Sequence, residues 1–471
     1  MSDRDVLIVG GGPAGLSAAL SAAQGGLRVA LVDEHTELGG QYFKRRHPAV
    51  VARHGDFRPA GTRLVTAVRQ AGVDCLTGHL VWGVADDGAT LLVAGPDGAP
   101  HALRARFTVL ATGAHERVLP FPGWQLPGVV TAGLALHLAT IDRVPVGRRV
   151  LLAGTGPFLL PVACALLEVG VRVVGVAEAN HPYRLGRHAA ASLRYPARLR
   201  ELAGYLATLV RHRVPVWQDT YVLSASGPDR LRQVTLGGRH AGTVEADVLC
   251  VGHGFRPNVE LARLLGCETR PDPVVGEPVP VADVVGRTSR PDVYVVGEAA
   301  GIAGVHAARA RGQAAALDIL ARTGRAVPPA RQRRVHARVR RLARFAALTE
   351  ALFPPPLHLL DGIPDDTEVC RCEQVSAGEI RATAGLAHNG LNATKGFTRA
   401  GMGLCQGREC GTAVACLTRA ANPHAPAEAF TARMPVRPVP VTALGVPPRH
   451  AAGADRGRPA GGGTPGGEVV R

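Results

Sequence analysis

A short apolar strand, a glycine-rich turn, a helix of small residues and a second strand ending in an acid leave a chain few folds to adopt. Residues 5–34, DVLIVGGGPAGLSAALSAAQGGLRVALVDE, have that order. Gly10, Gly12 and Gly15 take the three glycine positions of G-x-G-x-x-G, with Pro13 and Ala14 inside the turn. The first glycine permits the tight turn, the second admits a pyrophosphate, and the third lets helix and strand close up. A helix start at this point offers unpaired N–H groups to phosphate. Asp33, with Glu34 as the neighbouring alternative, ends the second strand where a ribose hydroxyl would donate. These residues predict a dinucleotide-binding βαβ unit.

The pattern returns at 148–178, RRVLLAGTGPFLLPVACALLEVGVRVVGVAE. Gly154 and Gly156 repeat the first two glycines, but Leu159 holds the third position and Pro161 follows in the expected helix. Glu178 could take a ribose. A bound NAD, a bound ATP or ADP, and an empty vestigial site all remain open for this second unit. Two further strands, in ADVLCVGHGFRPN and PDVYVVGEAAGIAGVHAARARGQAAALDIL, follow later. The simplest α/β layout is one nucleotide domain (1–125, completed by 246–325) interrupted by another (126–245). A helical and proline-rich linker (326–366), a compact segment (367–425) and a Pro/Gly-rich tail (426–471) with a disordered end complete the expectation.

The net charge of +16 comes almost wholly from arginine, the only lysines being Lys44 and Lys395. It is scattered apart from RQRRVHARVRRLARF (331–345), whose spacing predicts a solvated helix or a face for an acidic partner. With aromatics at 4% there is little to stack on bases, so nucleic-acid binding is not expected. The chain enters its first strand directly, without a secretory leader, and no apolar run reaches spanning length. The expected location is the cytoplasm, at most peripheral to the inner face of the membrane.

Reduced thiols in that compartment more often hold metal than form disulfides. Cys370 and Cys372 in EVCRCEQV are joined by Cys405 and Cys410 in GMGLCQGREC. Four thiolates in a small segment suit a tetrahedral Zn site or a [2Fe–2S] cluster. Lys395, Arg399 and Arg408 bring positive charge into the same segment. Cys75, Cys164, Cys250 and Cys267 are isolated, reading as small buried hydrophobes, and Cys416 as a helix core residue.

The turn ELGGQYF (37–43), the strand ending Ala111-Thr112-Gly113 and the late Gly297-Glu298 resemble the two-dinucleotide-domain, glutathione reductase-type flavoproteins. That resemblance implies FAD in the first unit, with Gly40, Gln41, Thr112, Gly113, Gly297 and Glu298 beside it. Glu298 stands where the family has aspartate, and the family's redox C-x-x-C beside the flavin is absent. The string VCRCEQV…ATKGFTRAGMGLCQGREC resembles the bacterioferritin-associated ferredoxin-like (BFD-like) helical [2Fe–2S] domain. Its C-x4-C spacing and CQGR resemble the version fused to the α-type flavoprotein subunits of opine oxidase, D-hydroxyproline and proline dehydrogenases and hydrogen cyanide synthase. Sarcosine oxidase is a more remote likeness. The resemblance implies an electron-transfer subunit beside a D-amino-acid-oxidase-like β-type flavoprotein, a quinone or similar acceptor, and an FMN at the subunit interface. A stand-alone NAD(P)H-dependent reductase and a Zn-binding or redox-sensing module are the competing readings.

Overall fold

The computed structural model describes residues 4–384, 390–422 and 429–445. Two parallel five-stranded sheets form its two α/β bodies. In the first, the strands run 293–295, 107–110, 6–9, 29–33, 74–77, with Val9 opposite both Val32 and Leu110. Val6–Val9 is buried at every position, as a parallel strand covered on both faces must be. Helix Pro13–Gln24 covers one face and lies against Val305–Arg322. The approach is close because a Cβ on Gly312 would overlap the carbonyl of Ala14. An antiparallel trio, Leu80–Ala85, Thr90–Ala94 and Pro100–Leu103, flanks the other side.

The second sheet runs 216–218, 172–178, 149–154, 248–252, 129–131. Strand Val248–Gly252 therefore belongs to the interrupting body, not to the completion of the first that was expected from residue 246. Its run VLCVG is buried at every position and reads equally well in either sheet, so register with Val150–Gly154 decides. Ala114–Glu116 and Phe255–Pro257 pair antiparallel and carry the chain out of and back into the first body.

Two expected segment boundaries also move. Helix Pro329–Leu352 is present, but residues after it are not a free linker: Leu360 and Ile363 are buried in one core with Val369, Cys370, Leu417 and Leu119. Nor is the start of the tail loose. Val436 N donates to the Trp82 carbonyl at 2.8 Å, and Ala443 is buried beside Trp82 and Ala94. The disordered end expected for the tail falls at 446–471, outside the described residues. Among the described residues no helix is long and apolar enough to cross a membrane.

Candidate functional site

The first glycine turn is built by the absence of side chains. Gly10 has φ +105°, and a Cβ there would overlap the Ala111 carbonyl; one on Gly15 would overlap the Gly10 carbonyl. At Gly12 the nearest atom to such a Cβ is the Gly40 Cα, 3.9 Å away. Gly40 (φ +58°) faces Gly12 in return, and Gly39 N donates to Gly11 O at 2.9 Å, so two glycine turns border one slot next to Gln41. Helix Pro13–Gln24 starts there with Pro in its first turn and no capping side chain. Its leading N–H groups remain for an anion. A pyrophosphate suits such a turn, where glycine backbone and free N–H groups can approach it without a side chain between.

Of the two candidate acids, the turn uses Asp33. It is 7% exposed, accepts from Gly11 N at 2.5 Å and from His35 N at 2.8 Å, and lies 3.0 Å from His35 Nδ1. That hydrogen bond raises the pKa of His35. Glu34 points to solvent and pairs with Arg437 at 3.6 Å. Thr112 and Gly113 are clamped by Asn258, which the motifs gave no reason to single out: Thr112 Oγ1 donates to Asn258 O (2.9 Å), Asn258 Nδ2 to Thr112 O (2.8 Å) and Asn258 N to Gly113 O (3.0 Å). Gly297 sits on the helix start, where a Cβ would come 2.7 Å from Ala14 Cβ. Glu298 differs from expectation. Its carboxylate is buried on its own loop, 3.2 Å from Ala303 N, and burial raises its pKa. A ribityl hydroxyl would have to compete with that internal bond.

The four cysteines come together. Cys370 ends strand Glu368–Cys370, Cys372 lies in the hairpin before Val375–Ser376, and Cys405 and Cys410 bracket the loop before helix Gly411–Ala421. The thiols form a connected chain of hydrogen-bonding contacts, Cys372–Cys405–Cys410–Cys370. Backbone N–H groups of Gly401 and Glu373 face Cys370, and those of Glu409 and Gly407 face Cys405. The bond from Cys410 and these N–H groups pull Cys370 down to about 6 and Cys405 to about 4, while Cys410 is raised well above the ordinary thiol value. Gly403 must be glycine because a Cβ would overlap Cys372 Cβ. Among the described residues no three His, Cys, Asp or Glu side chains are disposed around a single metal ion. Cys416 stands apart on its helix, contacted by Arg419.

Charge near the quartet is placed as expected for Arg408 and Lys395. Arg408, 7% exposed, donates to Cys405 O at 3.2 Å, and Lys395 interacts with Cys410. Arg399 is tied to Glu373 at 2.8 Å. A buried network then bolts the quartet's segment to the crossing strands. Arg256 Nη1 donates to Gly407 O and Arg408 O, and Arg117 donates to Glu277 at 3.0 Å. Glu277 also accepts from Thr412, beside Cys410. Trp124 Nε1 donates to Glu368 O at 2.6 Å, with Arg371 stacked 4.9 Å over its ring. Arg117, Trp124, Arg256 and Glu277 had no sequence signal, since the hydrogen-bond partners of their side chains lie more than 130 positions away.

In the second unit a Cβ on Gly154 would overlap the Gly252 carbonyl, so the first glycine keeps its role. The missing third glycine is compensated from the facing strand: Gly252 makes room for Leu159, whose Cδ2 would lie 3.1 Å from a Cβ there. Pro161 falls in the first turn of Leu159–Glu168, where its absent N–H costs nothing. Glu178 accepts from Gly156 N at 2.8 Å, much as Asp33 accepts from Gly11.

Residues 4–312 match the family described as pyridine nucleotide-disulphide oxidoreductase. The A subunit of opine oxidase from Rhizobium meliloti is 34% identical over 468 residues, covering 95% of this chain and 88% of that one. The HcnB subunit of hydrogen cyanide synthase from Pseudomonas aeruginosa is 34% identical over 464 residues, covering 93% and 97%. The fold is also that of L-proline dehydrogenase from P. horikoshii (TM-score 0.68, 22% identity, 94% of this chain and 79% of that one). The chain belongs to the pyridine nucleotide-disulphide oxidoreductase family of flavin-dependent oxidoreductases, with the opine oxidase A subunit and HcnB among its near full-length relatives.

Proposed function

We propose that this chain is the FAD- and [2Fe–2S]-bearing electron-transfer subunit of a heteromeric dehydrogenase that oxidises a secondary amine or amino acid of the opine, hydroxyproline, proline or glycine type. It takes electrons from a D-amino-acid-oxidase-like flavoprotein subunit and delivers them to an acceptor such as a quinone. The observation that carries this reading is the thiol chain Cys372–Cys405–Cys410–Cys370 with backbone N–H groups turned toward its sulfurs. A Zn ion needs four sulfurs around one centre. A binuclear cluster takes four sulfurs as well; the resemblance of VCRCEQV…CQGREC to BFD-like domains selects it, and inward N–H groups favour its anionic charge. FAD and the cluster, when bound, would supply the electron-carrying chemistry. The chain's own part is to hold them. Gly10, Gly12, Gly15, Gly40 and Asp33 would cradle the dinucleotide, and Arg256, Glu277 and Trp124 fix the cysteine segment against that body.

Two near full-length relatives carry names that make each of them one component of a larger enzyme, and this supports a hetero-oligomer. The test is compositional and then functional. Purified protein should hold FAD together with iron and acid-labile sulfide in equal amounts, and should oxidise amines only after its partner flavoprotein is added. Iron-free protein, or amine turnover by this chain alone, would overturn the proposal.

A further inference from the structure

The second glycine turn is covered by the chain itself. Helix Pro329–Leu352 ends beside it, and Phe353 and Pro354 cross its open side. A Cβ on Gly156 would lie 3.8 Å from Phe353 Cβ, which is van der Waals contact. In a working unit that space receives the pyrophosphate, the reason the position is glycine. The corresponding neighbour in the first unit is Gly40, which carries no side chain. The two approaches are equally close, 3.9 and 3.8 Å, but Gly40 brings no side chain to its turn whereas Phe353 brings one to Gly156.

The acid of this turn is bonded locally as Asp33 is in the first unit, but here the same groups are also tied to the covering segment. Glu178, at the ribose position, accepts from Gly156 N (2.8 Å), Asn180 N (3.0 Å) and Asn180 Nδ2 (2.9 Å). Asn180 Nδ2 also meets Thr155 Oγ1 at 2.5 Å and the Pro354 carbonyl at 3.2 Å. Arg184 Nη1 reaches the Ala351 carbonyl at 3.4 Å. Phe158, just before the helix, packs edge-on against Phe255 at 5.2 Å. The covering segment is anchored at both ends, by buried Leu352 and by Pro356 and Leu360, the last in the core of the cysteine segment.

We propose that residues 351–354 are a built-in plug of the second nucleotide unit, and that Phe353 and Asn180 are the residues that exclude nicotinamide and adenine nucleotides from it. This deepens the function proposed above and rests on it only for one consequence: electrons enter from a partner subunit, not from a nicotinamide.

The experiment titrates FAD-loaded protein with ADP-ribose by calorimetry. Wild type is expected to show no saturable binding up to about 1 mM. Phe353→Gly and Asn180→Ala, each retaining FAD, are expected to bind roughly tenfold tighter or better. Micromolar binding by wild type overturns the plug, as does binding by neither variant; the wild-type titration decides alone if both variants lose FAD. Mixing wild type with NADH separates the two claims. Binding without flavin bleaching overturns the plug and leaves the proposed function standing, whereas rapid bleaching overturns both.

Discussion

Arg256 Nη1 donates to the carbonyl of Arg408 at 2.9 Å, joining the strand that crosses between the two nucleotide bodies to the loop that carries Cys405 and Cys410. Arg256 is 8% exposed and lies 3.9 Å from Glu277, which Arg117 also holds. Burial alone would raise the pKa of Glu277, but the two guanidiniums more than offset it, so its pKa is lowered. This contact helps to hold the four-cysteine segment against the crossing strands.

Glu277→Gln leaves two buried guanidiniums without their counter-charge, a loss of about 3–5 kcal/mol where one partner of a buried pair is removed. Thermal unfolding should show that loss. The wild-type pair gives stability above the ordinary carboxylate pKa and loses it as pH falls through the depressed folded value, and the variant should lack that acid-limb dependence.

Cys370→Ser should abolish iron binding while FAD remains, whereas Cys416→Ser should retain both. Iron assay and flavin absorbance on the two purified variants decide this. Full iron in Cys370→Ser would contradict the ligand set.

Gly15→Ala should yield protein without FAD, because the new methyl overlaps the Gly10 carbonyl and pushes the helix off the strand. Asp33→Ala should weaken FAD retention by removing the acceptor of Gly11 N. Glu34→Ala should not, as Glu34 pairs with Arg437 at the surface. Flavin content after gel filtration ranks the three.

His253 is buried, its Nδ1 has no hydrogen-bond partner among the described residues, and burial with Arg117 nearby lowers its pKa from 6.5 to about 4. The unfolded chain therefore takes up this proton first. Stability from this group is complete above pH 6.5 and is lost toward pH 4, by up to about 3 kcal/mol. His253→Leu should flatten that part of the stability–pH curve, measured by denaturant unfolding between pH 4 and 7.

Both glycine turns and the four clustered cysteines were legible because each is a local property. A glycine at position 10 or 15 is demanded by backbone a few residues away, and thiols spaced as 370, 372, 405 and 410 carry their chemistry in the side chain. Spacing favoured Asp33 over its neighbour Glu34, but adjacent residues of a strand point to opposite faces and only the placed glycine turn shows which one bonds it. Val248–Gly252 could not be assigned to a sheet for a related reason: a short apolar run names no partner.

The sequence by itself determined two dinucleotide-type units, the second lacking a glycine, and a thiol-rich segment after them. Tertiary structure decided that Gly252 makes room for Leu159, that Glu298 turns to its own loop, that Leu360, Ile363, Val436 and Ala443 are buried anchors, and that Phe353 contacts Gly156. The physical reason is range. Backbone conformation and side-chain chemistry are set by near neighbours, whereas these contacts join residues many tens of positions apart and exist only once the whole chain has chosen how its layers pack.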